Sequence, residues 1–141
     1  MSDPVISLIA DPRFPGGTST AIASELAAFA GLGRLRLYAL ETAMFSGRTV
    51  APQLGEALDR LGMAPDWDSP VIGGDLVILH NPSMLKHQKE LGRRILARRL
   101  IVVSHENFLR AGASESFNVA GCLGQIDRAS LALGKCVAPV S

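Results

Sequence analysis

Val5-Ile6-Ser7-Leu8-Ile9-Ala10 is a short apolar run closed by Asp11-Pro12, the pattern of a buried strand. Leu35–Leu40 starts by alternation, Leu35 and Leu37 against Arg34 and Arg36, and then turns fully apolar, which predicts a strand nearer the sheet's edge. Asp75–His80 is a β-rich run closed by Asn81-Pro82, and Leu100–Val103 is another, ended by Ser104-His105-Glu106-Asn107. Lys135–Val140 reads as the last strand. With a very short one at Val71-Ile72, the sheet is expected to hold five or six.

Between these runs the period lengthens to that of helices. Ile22, Leu26 and Phe29 fall at i, i+4 and i+7, behind the capping hydroxyls of Thr18, Ser19 and Thr20 and ahead of Gly31 and Gly33. Leu54, Leu58 and Leu61 mark a short helix. Met84, Leu85, Leu91, Ile95 and Leu96 predict another from about Ser83 to Ala97. Asn118 caps a further one whose apolar face is Val119, Leu123, Ile126 and Leu133, with Gly134 at its end. Arg110–Ser116 reads as a loop. Strands alternating with helical crossovers predict one α/β domain, Rossmann-like or flavodoxin-like, with a parallel sheet covered on both faces. A last strand with no helix behind it leaves one flank of that sheet open. The 141 residues are therefore expected to be one domain of a longer protein, although a complete small flavodoxin-like domain fits the pattern equally.

Composition narrows the function classes. Fourteen Lys+Arg against thirteen Asp+Glu give a net charge of +1, without the basic excess of a nucleic-acid binder. Five Phe, one Trp and one Tyr leave little for base stacking. No apolar run approaches the roughly 18 residues of a membrane-spanning helix. Met1-Ser2-Asp3-Pro4 lacks the basic region of an export signal, so a cytoplasmic location is expected. Cys122 and Cys136, with His80, His87 and His105, form no zinc pattern, and neither a metal nor a cofactor is expected.

In open α/β sheets ligands bind beyond the carboxyl ends of the strands, which nominates Asp11–Thr18, Glu41-Thr42, His80–Ser83 and Ser104–Asn107. In the first of these, Gly16 and Gly17 let backbone approach a ligand, and the helix start at Thr18 offers free N–H groups to an anion. The loop matches neither G-x-G-x-x-G nor a P-loop, although Glu41 stands where a ribose-binding acid would. A response-regulator reading lacks its phospho-accepting Asp, because the run at 75–79 ends in His80. His80 and His105 end consecutive strands and are expected in one crevice, where imidazole can contact a sugar hydroxyl or act as a base. Lys86, Lys89, Arg93, Arg94, Arg98 and Arg99 would form a basic face on one helix and its exit, solvated or set against anionic lipid.

Taken together, Asp11-x-Arg13-Phe14-Pro15-Gly16-Gly17-Thr18-Ser19, His80-Asn81-Pro82 and His105 resemble the N-terminal half of GT-B glycosyltransferases of the large, family-four-like retaining class. The resemblance spans most of the chain. It implies a two-domain enzyme that moves a sugar from a nucleotide-sugar donor to a polysaccharide, lipopolysaccharide or other glycan or lipid-linked acceptor, without a bound metal. On that likeness Gly16, Gly17 and Thr18 approach the donor phosphates and His80 contacts the transferred sugar. Asp11, Arg13, His105, Glu106 and Asn107 line the acceptor side. The E-x(7)-E motif usual in the donor half is missing, so the 141 residues alone are expected to be inactive. The competing expectation is a flavodoxin-like binding or regulatory domain without catalysis.

Overall fold

The computed structural model describes residues 3–106 and 114–139. Its strands are β1 (Val5–Ala10), β2 (Arg34–Ala39), β3 (Val71–His80), β4 (Arg94–Ser104) and β5 (Ser130–Pro139). The helices are α1 (Gly17–Phe29), α2 (Pro52–Leu61) and α3 (Val119–Ala129), with a 3-10 turn over Pro82–Leu85. All five strands pair in parallel in the order β2-β1-β3-β4-β5. This is the flavodoxin-like order within the Rossmann-like α/β class that the alternation of runs predicts.

Two apolar layers flank the sheet. On one face Ile22 and Leu26 of α1 and Leu54 and Leu58 of α2 pack against Leu8, Leu37 and Ile78. On the other, Cys122 and Ile126 of α3 join Met84 and Leu85 of the 3-10 turn over Ile9, Leu79, Leu100 and Val102. The covering is unequal. Ile95 and Ala132 point into the α3 layer, so strand alternation turns Leu96, Leu131 and Leu133 to the opposite face, where all three are exposed, Leu133 at 90%.

The predicted helix from Ser83 to Ala97 is not formed. Only Pro82–Leu85 is helical, as a 3-10 segment, and Gly92 at φ 84° redirects the chain into β4, which begins at Arg94. Leu91 and Ile95 match a helical spacing by coincidence, since both are buried from outside any helix. The place of a crossover helix is held by side chains. Gln125 Nε2 of α3 donates to Leu85 O (2.9 Å) and Gln88 O (2.7 Å). Arg93 donates to Ser69 O, Ala39 O and Asp66 O. Without the helix these six residues share no helical face: Lys86 lies in a turn and Lys89 in a bend, Arg93 immediately precedes β4, and Arg94, Arg98 and Arg99 lie along it.

Two further boundaries move. The helix expected to run to Gly134 ends at Ala129, and β5 starts at Ser130, five residues ahead of Lys135. Leu133 is thus a strand residue in solvent and not part of a helical face. Asn118 caps α3 as expected, its Oδ1 accepting from Gly121 N at 3.0 Å. At α1 the cap is Gly16, without a side-chain bond. Ser19, instead of capping, donates to Phe14 O.

Candidate functional site

With β2 and β3 on either side of β1, the strand order reverses there, and the crevice of such sheets opens beyond the carboxyl ends of β1 and β3. Ile9 pairs with Leu79, which sets Ala10 abreast of His80. The loop from Asp11 to Thr18 and the segment from His80 to Ser83 therefore leave the sheet side by side.

Asp11 and Arg13 are engaged with each other. Arg13 Nε and Nη2 donate to the two Asp11 oxygens at 2.8 and 2.6 Å. Nη2 also reaches Thr42 O (2.9 Å), and Nη1 donates to Phe45 O (3.0 Å) and Gly47 O (2.8 Å). All five donors of the guanidinium are filled by this chain. Thr42 Oγ1 donates to Asp11 Oδ2 at 2.7 Å, and the Phe45 ring lies 5.5 Å from the guanidinium carbon. The charge-assisted bonds to Asp11 raise the Arg13 pKa further. Asp11 and Arg13 are only 2% and 6% exposed, so the pair fastens the 42–47 loop over the end of β1. Glu41, the candidate ribose acid, is paired with Arg48 at 2.9 Å instead.

The glycine loop presents open backbone. Neither Gly16 nor Gly17 has a positive φ, and a Cβ at either would meet nothing within 4 Å. Turn geometry therefore does not require these glycines. Gln53 Nε2 of α2 ties the loop down through Pro15 O (3.0 Å) and Gly16 O (3.3 Å). Thr18, half-buried, lies in the first turn of α1. Gly17→Ala is thus expected to leave the fold intact and to gain about 0.4–1 kcal/mol from the stiffer unfolded chain. Urea unfolding checks this, and a clear loss of stability would contradict the open geometry.

His80 is 1% exposed and points under α1. Its Nδ1 lies 2.9 Å from His105 Nε2, and its Nε2 lies 3.2 Å from Glu25 Oε1. His80 is not turned outward: Asn81 takes a left-handed conformation (φ 63°) and the 3-10 turn over Pro82–Leu85 leads the chain away, while His80 stays on the sheet. His105 follows β4 and is half-buried. Ser83 Oγ sits 2.7 Å from Asn81 Oδ1 and 2.9 Å from Glu106 Oε1, while Ser104 Oγ donates to Glu106 O. His80 and His105 are therefore brought together, while Glu106 is held by Ser83. Asn107 lies outside the described residues.

Burial, and then the neighbouring His80, push the His105 pKa below its ordinary value of 6.5, with Glu25 opposing. The unfolded chain then binds the proton more readily. Stability from His105 is full above pH 6.5 and is lost as pH falls through the lowered folded value. Melting temperature is expected to decline from pH 7.5 to 5.5, and less so in His105→Asn.

Glu25 was not legible as a partner of His80. It sits 55 residues away on a helix whose polar face carries no motif, and only the packing of α1 over β3 unites them. Among the described residues no group of three or more His, Cys, Asp and Glu side chains is arranged to hold a metal ion. No family model, curated protein or solved structure matches this chain.

Proposed function

We propose that this domain is the acceptor-side half of a nucleotide-sugar-dependent glycosyltransferase of the GT-B type, acting on a glycan or lipid-linked acceptor. The observation that carries the reading is the placement, beyond the carboxyl ends of neighbouring β1 and β3, of an open α1 N-terminus and of His80 in contact with His105. Backbone N–H groups at Gly17 and Thr18 suit pyrophosphate charge, since a helix start attracts anions and nothing crowds it. The histidines suit a hydroxyl, which they can hold without a fixed charge. Asp11 and Arg13 serve this site by shaping its wall, because their polar groups already have partners. The reading implies cytoplasmic work, where nucleotide sugars are the donors.

The donor's nucleotide would be held by a second half outside these 141 residues. A screen of nucleotide sugars for product formation, on a protein carrying this domain and its continuation, is expected to give transfer from one donor class. The 141-residue chain alone is expected to bind those donors weakly or undetectably. Micromolar binding by the chain alone would overturn the division of labour, and a reading frame that stops after Ser141 would favour a non-catalytic binding domain.

A further inference from the structure

We propose that Glu25, His80 and His105 form one proton relay, in which His105 Nδ1 exchanges the proton with a bound hydroxyl and buried His80 stores the charge beside Glu25. The proposal deepens the reading of this edge as a hydroxyl-binding cleft and rests on it for the substrate class.

The hydrogen-bond chain has a direction. A carboxylate only accepts, so the 3.2 Å contact to Glu25 Oε1 requires the proton on His80 Nε2. Neutral His80 then has its lone pair on Nδ1, and the 2.9 Å contact makes His105 Nε2 the donor. Neutral His105 consequently carries its own lone pair on Nδ1, across the ring. The two tautomers are not independent, because Glu25 sets both.

When a substrate O–H gives its proton to His105 Nδ1, the Nε2 proton of His105 passes to His80 Nδ1. His105 ends neutral with the proton on Nδ1, His80 becomes imidazolium, and the oxygen is left as alkoxide or bonds to its electrophile. No electrons are transferred, and the reverse sequence protonates an oxygen. Charge settles on His80 because that ring touches the carboxylate, whereas His105 does not. The lowered pKa of His105, caused by burial and by His80, agrees with this. The titratable groups against His80 among the described residues are Glu25 of α1 and His105. Asp11, at the end of neighbouring β1, is held by Arg13. Glu25 is a positioning residue: it acts through His80 and need not touch substrate.

Long-range proton–nitrogen NMR on the imidazole rings of the 141-residue chain reads both tautomers directly. At pH 7.5 protons are expected on Nε2 of both His80 and His105, and on acidification the first added proton is expected to register at His80. Glu25 is partly exposed and helical, so Glu25→Ala is expected to fold, which its melting curve verifies. In that variant the tautomers should mix, because no carboxylate fixes the proton on His80 Nε2. Glu25→Asp should restore part of the order. First protonation at His105, or unchanged tautomers in folded Glu25→Ala, would overturn the relay. These readouts need no sugar donor, so an inactive protein with an intact relay would refute the transferase reading alone.

Discussion

Arg13→Ala is expected to destabilise the domain by about 3–5 kcal/mol, the cost of leaving one half of a buried ion pair without its partner. Asp11 is 2% exposed and would keep only its bonds from Thr42 Oγ1 and the Arg13 backbone N–H. Three carbonyls, on Thr42, Phe45 and Gly47, would lose their donor at the same time. Arg13→Lys should recover little, because one ammonium cannot reproduce a planar fork that reaches a carboxylate and three carbonyls. Asp11→Asn combined with Arg13→Leu removes both charges and should cost less than Arg13→Ala alone. Urea unfolding of the four proteins decides the matter. A loss below about 1 kcal/mol for Arg13→Ala would show that the loop relaxes and water takes over its bonds.

In a transferase carrying this domain, His80→Ala and His105→Ala should each lower turnover on the order of 10²-fold, the usual contribution of a positioned acid–base group. The two are expected to act as a unit, so the double variant should lose about the same 10²-fold, whereas independent roles would give about 10⁴-fold. Stability separates the two residues. His80 is wholly buried between α1 and the sheet, and its removal leaves a void, while His105 is half-buried and costs less. A purely structural pair would therefore show a lower melting temperature for His80→Ala with near-normal turnover in both. Multiplicative losses would sink the relay and leave two separate contacts.

Strands with dense apolar runs were legible because burial on both faces leaves a signal in every residue. Val5–Ala10 is read to the residue, and the edge position of β2 follows from its alternating start. The β3–β4 connection was not legible for the opposite reason. In Leu91-Gly92-Arg93-Arg94-Ile95, i, i+4 spacing and strand alternation both fit the apolar residues. What decides is Arg93 reaching three carbonyls and Gly92 adopting φ 84°, which are tertiary facts. The site divides similarly. Carboxyl-end placement found His80 and His105, since sheet topology alone brings strand ends together. Arg13 stood out because turn chemistry did not explain it, yet its engagement with the 42–47 loop depends on where that loop folds.

The bare face carrying Leu96, Leu131 and Leu133 has a colloidal consequence. A chain of net charge +1 and isoelectric point about 7.9 has little like-charge repulsion to keep such faces apart. Its solubility should pass through a minimum near pH 8 and improve as acid adds positive charge. Neutral His105 pulls the other way, because the fold gives up stability below pH 6.5. Concentrated solutions should therefore keep longest in the interval between those limits, just below neutral pH.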